Sequence, residues 1–226
     1  ATSYRKCRQY NNRLSERKES KRIITRKEDI MLQKFNYFGE HESYVIRLCN
    51  PNKEQICFLN QSHTHELSLR FNEMSEFHIT IPYLIDGEVF PYYDRVLSKK
   101  LILIDDIGYF LITEVNETDD GIVKQKTVTA YSLETELAFK KLNLFDGTYK
   151  FYDPLNVENT LMGKILSTSN WKIGQIDADL WNLYRTFEIP DSTVYEFLMN
   201  DVENSYECVF LFDSFTRTVS AYTLQN

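Results

Sequence analysis

The residues best suited to metal chemistry form one short cluster, His63-Thr64-His65-Glu66. Alternate residues of a strand point to the same face, so His63 and His65 would lie side by side as two zinc ligands do. No third His or Cys follows at metal-site spacing, and His41, His78 or a cysteine would have to join them through the fold. Polar residues at the start of a surface strand explain the cluster more simply. We therefore predict no metal site.

Acidic pairs are the other candidates for catalysis, because glycoside hydrolysis needs two carboxylates that face each other across a cleft. The pair before Gly121 indicates a turn, and the pair after Leu133 is typical of the start of a helix. No serine elbow, His-Glu metalloprotease motif, phosphate loop or dinucleotide fingerprint is present. We therefore predict no catalytic and no cofactor-binding residue. The four pairs are Asp105/Asp106, Asp119/Asp120, Glu134/Glu136 and Asp177/Asp179.

Two tryptophans near turns leave a carbohydrate-binding alternative open. Trp171 begins the run Trp171-Lys172-Ile173-Gly174, and Trp181 precedes Arg185-Thr186-Phe187. An exposed indole can stack on a sugar ring, but packing in a core is the commoner use of such a side chain. The exposure of the two indoles therefore distinguishes an adhesion module from a packed core.

Charge divides the chain into a basic arm, assigned to residues 1–38, and an acidic body. Residues 1–27 contain ten Lys/Arg and two Glu, a formal charge of +8, whereas the other 199 residues contain 16 basic and 31 acidic residues, a charge of −15. Such an arm docks on a neighbour's acidic surface, contacts nucleic acid, or is a solvated face. We expect docking, with contacts from Arg5, Arg8, Arg13 and Arg17. An apolar stripe at helical spacing accompanies these charges: Tyr4, Cys7, Tyr10 and Leu14.

An aromatic run in the connection after residue 82 supplies a second set of candidate subunit contacts. The run reads Phe90-Pro91-Tyr92-Tyr93. Aromatic side chains are enriched in interface cores, so we expect Phe90, Tyr92 and Tyr93 to contact a neighbour.

The composition predicts a compact, β-rich protein. A hydrophobic content of 42% and an aromatic content of 14%, with 7 Gly and 5 Pro in 226 residues, favour packed strands over disorder. No window approaches the roughly 20 apolar residues that a membrane helix needs, and the start lacks a secretory apolar core, so we expect no membrane insertion.

Cysteine usage indicates a protein folded in a reducing compartment. Cys7, Cys49, Cys57 and Cys208 are widely spaced and form no CxxC pair. Cys49 and Cys57 flank a turn, which leaves a cross-strand disulfide open. Buried reduced thiols are the expected state.

Alternating runs separated by turn residues predict a small barrel or sandwich over residues 39–154, which we assign as a barrel-like β domain. The longest pair of runs, Ile107–Asn116 and Ile122–Tyr131, flanks Asp119-Asp120-Gly121 and predicts an antiparallel hairpin with Gly121 at positive φ. A short helix capped by Ser132 follows. The other predicted strands are Tyr44–Cys49, Gln55–Asn60, His65–Phe71, Phe77–Ile81 and Lys100–Asp105.

Residues 155–226 change to an α+β pattern. A first helix is predicted from Asn156 or Val157 to Ser167, and a second opens with the capping-box spacing of Thr193-Val194-Tyr195-Glu196. Runs at Tyr206–Phe212 and Arg217–Leu224 predict a final hairpin. The sequence thus predicts a mainly β protein with a smaller α+β domain.

The order of these motifs resembles the N-terminal hub region of phage tail proteins in the prophage endopeptidase tail, or tail-associated lysin, family. The resemblance spans roughly residues 43–224, and the basic arm lies outside it. Its motifs, in chain order, are the hairpin and helix of residues 106–137, Leu144–Tyr149, Trp171–Gly174, Arg185–Phe187, Tyr195–Leu198, Tyr206–Asp213 and Arg217–Val219.

The resemblance implies a fold similar to central baseplate hub proteins of contractile-tailed phages. Those hubs are trimers whose paired barrel-like domains form a pseudo-sixfold ring between the tail tube and the tip, and DNA passes through the ring. It therefore implies a homotrimer that contacts other tail proteins in the virion tail, after folding in the bacterial host cytoplasm. A body of charge −15 agrees with DNA passage without specific binding, because it repels phosphates.

In several relatives a lytic or peptidase domain follows the hub region. We therefore expect the chain to be part of a longer polypeptide, and no catalytic residue carries over to it. The alternatives are a peptidoglycan hydrolase or peptidase domain, and a carbohydrate-binding adhesion module of the tail tip.

Overall fold

A computed structural model describes residues 33–35, 41–60 and 64–224, in which strands dominate and helices are short. The strands are β1 (Gln33–Phe35), β2 (His41–Ser43), β3 (Ile46–Cys49), β4 (Gln55–Phe58), β5 (Thr64–Ser68), β6 (Glu76–Pro82), β7 (Leu84–Ile85), β8 (Glu88–Val89), β9 (Leu101–Ile104), β10 (Gly108–Asp119), β11 (Lys124–Ser132), β12 (Gly147–Lys150), β13 (Lys172–Ile176), β14 (Tyr184–Phe187), β15 (Cys208–Asp213) and β16 (Thr218–Thr223). The helices are α1 (Thr135–Ala138), α2 (Leu161–Leu166), α3 (Ala178–Trp181), α4 (Val194–Glu196) and α5 (Glu203–Tyr206), with 3-10 turns at Tyr93–Arg95 and Val157–Asn159 and a π-helical segment at Phe197–Val202.

Seven antiparallel strands form the main sheet, in the order β4-β3-β9-β10-β11-β6-β5. The predicted central hairpin is confirmed, since β10 pairs with β11 from Phe110↔Ser132 to Asp119↔Lys124. Its turn is closed by side chains: Asp119 Oδ1 accepts from the Gly121 N–H at 3.1 Å, and Gly121 has a φ of +81°. Only glycine enters that region of φ without strain, which explains the residue at this point.

The main sheet is buried on both faces along part of its length. Strand β9 reads Leu101-Ile102-Leu103-Ile104 and is buried at every residue. Ile102 and Ile104 belong to a first core on one face, whereas Leu101 and Leu103 belong to a second core on the other. A continuous apolar run is the pattern expected of a strand covered on both sides. The first core also contains Ile46, Leu48, Cys57, Leu59, Phe77, Ile79, Ile81, Tyr93, Val96, Phe110, Ile112, Val128 and Ala130.

The helices and a second, three-stranded sheet cover the other face. Strand β16 lies between β15, which is antiparallel to it, and β13, which is parallel to it. The predicted capping box is confirmed: the Thr193 side chain accepts from the Glu196 N–H, and the Glu196 side chain accepts from the Thr193 N–H. The first predicted helix is divided into a 3-10 turn and α2, which Thr160 caps through the Gly163 N–H.

The turn between β15 and β16 joins the two halves of the molecule. The Arg217 guanidinium donates to both carboxylate oxygens of Glu136, at 2.8 and 2.9 Å. Ser214 Oγ accepts from the Tyr109 N–H at 2.9 Å, and Lys53 Nζ donates to the Ser214 and Phe215 carbonyls at 2.9 and 2.8 Å. We call these contacts of residues 213–217 the junction.

The mainly β fold with a smaller α+β part is confirmed, with two corrections. Within the described ranges the edge strands β4 and β5 do not pair, so no closed barrel forms. Ser132 is the last residue of β11 and not a helix cap: its Oγ accepts from the Ser75 N–H and donates to Glu134, and α1 begins only at Thr135.

The division into two domains at residue 154 remains a prediction. Leu133, Leu137 and Phe151 precede this boundary but belong to the same second core as the residues that follow it.

Among the described residues, no helix is long and apolar enough to span a bilayer.

Candidate assembly surface

At least one carboxylate of each acidic pair has a structural partner of its own. Asp105 forms an ion pair with Arg47 at 2.8 Å, and the Asp119/Asp120 pair closes the β10–β11 turn. Asp177 accepts from the Thr223 N–H at 3.1 Å. These contacts place the named carboxylates in a turn, in an ion pair and in a hydrogen bond at a strand end.

Burial raises the pKa of the Glu134 carboxyl above its ordinary value. Glu134 lines a cavity of about 100 Å³ between the loop after β5 and the second half of the chain. Ser132 Oγ donates to it at 2.5 Å. Arg70, Glu73 and Tyr195 are the other ionisable residues that line this cavity.

A cleft of about 530 Å³ lies beside the start of β3. It is lined by Tyr44, Val45, Arg47, Leu103, Asp105, Asp106 and Phe215. This set includes the acidic pair Asp105/Asp106 but no Ser, Cys or His, so it lacks the nucleophile–base pair of serine and cysteine hydrolases. Arg47 and Asp105 already neutralise each other within it.

Neither tryptophan is available for stacking on a sugar in the way an adhesion module requires. Trp171 is 3% exposed, and its Nε1 donates to Glu136 at 3.2 Å. Trp181 is partly buried, and its Nε1 donates to the Ile176 carbonyl at 3.1 Å. Both indoles belong to the packing of the second half, which favours the core interpretation.

The predicted histidine cluster is only partly described, because His63 lies outside the described residues. His65 is half-buried on β5, and burial lowers its pKa. His78 contacts Thr129 and Glu76 at 3.2 and 3.1 Å. Among the residues that the structure covers, no three His, Cys, Asp or Glu side chains come together as a metal site would require.

The buried-thiol prediction is confirmed for Cys49, Cys57 and Cys208, which are free. Cys57 lies opposite Leu48 and belongs to the first core, whereas Cys49 points to the second. The sheet thus separates the two thiols. Burial raises the pKa of Cys57 to about 11 and that of Cys208 to about 12, so both stay protonated and unreactive at neutral pH. Cys7 lies outside the described residues.

The connection 83–96 and the hairpin tip 114–124 lie together at one end of the main sheet, and we call them the hairpin surface. Lys126 anchors the connection: its Nζ is buried, donates to the Tyr93 and Val96 carbonyls at 3.0 and 3.2 Å, and lies 4.5 Å from the Tyr93 ring centroid. Tyr93 is 2% exposed. Its ring is therefore part of the first core of its own chain, and a contact of Tyr93 with a neighbour stays a prediction.

Lys124 ties the hairpin tip to the same connection. Its Nζ pairs with Glu117 at 2.8 Å and lies 5.1 Å from the Tyr83 ring centroid. The Tyr83 N–H donates to the Lys124 carbonyl at 2.8 Å. Tyr83 and Tyr93 meet edge to face at 5.1 Å. The base of the hairpin surface is thus held by hydrogen bonds and ring contacts.

Above this base, apolar side chains face outward. Strands β7 and β8 form a tight hairpin over Asp86 and Gly87, whose φ values of +52° and +85° are typical of a type I′ turn. The cross-strand pair Leu84 and Val89 is 50% and 49% exposed. Sequence reasoning missed this hairpin, although Asp-Gly is its usual turn signal. Tyr92 (42%), Ile122 (91%) and Val123 (47%) are the other exposed apolar side chains of the surface.

The hairpin surface is also acidic. Residues 83–96 contain three acidic and one basic residue, and residues 114–124 contain four and one, a net formal charge of −5. Burial raises the pKa of Tyr93, and the nearby charges of Glu117, Asp119 and Asp94 add to this effect. Those carboxylates therefore lie around one point of the surface.

The other residues that we predict to contact a neighbouring subunit are Phe90, Tyr92 and the arginines of the arm. Phe90 is partly buried and meets Tyr92 edge to face at 5.9 Å. Arg5, Arg8, Arg13 and Arg17 lie outside the described residues, so docking by the arm remains a prediction.

No protein-family model matches the sequence, and no curated protein matches it. Solved structures do share the fold. The prophage tail protein gp18 from Listeria monocytogenes is 13% identical over 80% of this chain and 51% of its own, with a TM-score of 0.57. A tail protein from Neisseria meningitidis is 12% identical over 79% of this chain and 50% of its own, with a TM-score of 0.55.

The tail protein of prophage MuSo2 from Shewanella oneidensis is 11% identical over 82% of this chain and 57% of its own, with a TM-score of 0.58. The chain thus spans between 50% and 57% of the length of these three structures. At such low identity the agreement concerns the fold alone. The described chain has the fold found in these three tail proteins.

Proposed function

We propose that the chain is a structural protein of a phage tail or tail-like particle, and that it forms part of the hub ring between the tail tube and the tip. The observation that carries the proposal is the fold shared with three tail proteins over about four-fifths of the chain. The ordered motifs that resemble the tail hub family support the same assignment.

The ring is proposed to be a homotrimer that contacts other tail proteins and lets DNA pass without binding it specifically. The hairpin surface supports assembly, because exposed apolar side chains on an anchored base are typical of a protein–protein interface. The acidic body supports passage, because it repels the phosphates of the duplex. The proposed location is the virion tail, after folding in the bacterial host cytoplasm.

The two alternatives have less support from particular residues. A hydrolase needs converging carboxylates or a nucleophile–base pair, and the carboxylates named above are engaged in turns and ion pairs. An adhesion module needs exposed aromatic platforms, and Trp171 is buried. We expect no cell-wall hydrolysis by this chain.

The solution mass of the full chain tests the proposal. Light scattering after size-exclusion chromatography should give three times the chain mass at physiological ionic strength. Electron microscopy of the same fraction should show closed rings. A monomer at every accessible concentration, or degradation of purified peptidoglycan that stops when one carboxylate is changed, would contradict the hub assignment.

A further inference from the structure

We propose that the basic arm of one copy, residues 1–27, docks on the hairpin surface of a second copy. The inference rests on the proposed ring, since it needs a neighbouring copy. It identifies which part of the acidic body receives the arm.

The first argument is the match of apolar groups. Leu84 and Val89 lie side by side on a hairpin of two-residue strands, and each leaves half of its side chain in water. The arm supplies an apolar stripe at helical spacing: Tyr4, Cys7, Tyr10 and Leu14. A peptide whose apolar residues recur at helical spacing is suited to cover such a patch.

The second argument is the match of charge. The hairpin surface carries a net formal charge of −5 and residues 1–27 carry +8. Asp86, Glu88 and Asp94 are exposed on the same hairpin surface as the apolar patch. The same acidic charge disfavours nucleic acid as the occupant, because phosphates would be repelled.

The third argument concerns the length of the arm and the way in which its contact would close a ring. A segment of 27 residues spans roughly 40 Å as a helix and more when extended, which is enough to cross from one subunit to the next. An arm that passes from each copy to its neighbour is a head-to-tail contact, and such contacts close into a ring when the rotation allows it. The arm would therefore both cover the surface and close the trimer.

Site-directed cross-linking of the full chain tests the contact. A bis-maleimide should join the native Cys7 thiol to a cysteine introduced as Val89→Cys. The matched control is Leu155→Cys, because Leu155 is 96% exposed on the other half of the molecule. A second control, Cys7→Ser in the Val89→Cys background, shows whether the arm thiol is required.

We expect covalent oligomers from Val89→Cys and none above background from either control. Mixing ¹⁵N-labelled and unlabelled protein before assembly should give mixed-isotope cross-linked peptides. Cross-links confined to one isotope would place the arm on its own subunit and overturn the proposal. No cross-link, or equal cross-linking of Leu155→Cys, would overturn it as well.

A charge exchange tests the electrostatic part. Reversing the surface (Asp86→Lys, Glu88→Lys, Asp94→Lys) or the arm (Arg5→Glu, Arg8→Glu, Arg13→Glu, Arg17→Glu) should each weaken trimer association by about tenfold or more at low salt. The combined variant should recover much of the loss, because opposite charges meet again. The control reversal Glu158→Lys, Asp179→Lys, Glu188→Lys changes equally exposed acids elsewhere and should have little effect.

The outcomes separate this inference from the hub proposal. If the unmodified chain is a monomer, the ring itself is wrong. If it is a trimer but the combined variant shows no recovery, the ring stands and the arm contact is wrong.

Discussion

The junction and the hairpin surface contain side chains of similar exposure but different engagement. Phe215 at the junction is 48% exposed, yet its ring meets Tyr109 at 5.8 Å and its carbonyl accepts from Lys53. Leu84 on the hairpin surface is 50% exposed and has Val89 as its cross-strand partner. Exposure alone therefore does not distinguish an interface that the chain completes by itself from one that it leaves open. The contacts that each exposed side chain makes within its own chain do distinguish them.

The largest effect on stability is expected at the junction ion pair. Arg217 and Glu136 are 17% and 24% exposed, and Glu136 also accepts from Trp171. Arg217→Ala leaves that carboxylate largely out of water, so we expect a loss of about 2–4 kcal/mol in the free energy of unfolding. Denaturant titration measures it. The control Lys141→Ala removes a pair that is 82% and 87% exposed and should cause no measurable loss. Equal losses in the two variants would show that the junction ion pair contributes no more to the free energy of unfolding than an exposed ion pair does.

A second junction prediction concerns Gly108. Its φ is +145°, and an added Cβ would meet Ser214 Oγ at 2.4 Å. Gly108→Ala should therefore cost about 2–3 kcal/mol of the free energy of unfolding, from backbone strain and the collision together. Ser214→Gly removes the hydroxyl that the new Cβ would meet, and it also removes the hydrogen bond from the Tyr109 N–H. Gly108→Ala should therefore cost less in the Ser214→Gly background than in the parent chain. If it costs the same in both backgrounds, the close approach to Ser214 contributes nothing.

The junction and the central hairpin differ in how far the sequence could predict them. The hairpin follows from residues 107–131 alone, because alternation and Asp-Asp-Gly are local signals. The capping box at Thr193 is equally local. The pairing of Arg217 with Glu136 joins residues far apart in sequence, and no local pattern indicates it. The apolar run of β9 did reveal a strand, but not that its two faces belong to two cores.

The aromatic residues predicted to contact a neighbouring subunit also show how far local sequence patterns can predict the structure. Phe90, Tyr92 and Tyr93 form one aromatic run, and composition predicts interface use for all three. The structure separates them, because the Tyr93 ring points into the first core while Tyr92 is 42% exposed. Which ring faces inward is decided by Lys126, whose Nζ binds the carbonyls of Tyr93 and Val96. The prediction of a helix cap at Ser132 is wrong for a similar reason, since its hydroxyl accepts from the Ser75 N–H in the connection before β6.

At the hairpin tip, Gly121 offers the matched counterpart of Gly108. Its φ is +81°, but nothing lies within 4 Å of an added Cβ. Gly121→Val should cost about 1–2 kcal/mol of the free energy of unfolding, from backbone strain alone. A second-site change cannot relieve this strain as Ser214→Gly does at the junction. A loss as large as that of Gly108→Ala would mean that the tip is packed after all.

The buried carboxyl of Glu134, at the contact between the two halves, predicts that stability depends on pH. Burial raises the pKa of its carboxyl, so below about pH 4.5 both the folded and the unfolded chain hold the proton. As the pH rises further, the unfolded chain releases the proton first, and the folded state loses stability until its own carboxyl ionises. Glu134→Gln should remove this decline and raise the melting temperature at pH 7, while the Ser132 hydroxyl still has an oxygen to donate to. A variant that is less stable than the parent at pH 7 would show that the ionised carboxylate is well solvated or paired.

The smallest effect on folding is expected on the hairpin surface itself. Leu84→Ser with Val89→Ser replaces two half-exposed side chains whose removal opens no cavity, so the free energy of unfolding should change by about 0.5 kcal/mol or less. The same pair of changes should weaken association, because it deletes the apolar contact that a neighbour would cover. The matched double variant Phe139→Ser with Phe145→Ser changes residues that are 68% and 81% exposed elsewhere, and it should leave association unchanged. Sedimentation velocity over a range of concentrations measures association, and denaturant titration measures folding. If the hairpin variant unfolds more easily but assembles as before, the exposed pair serves its own chain, and the contrast with the junction disappears.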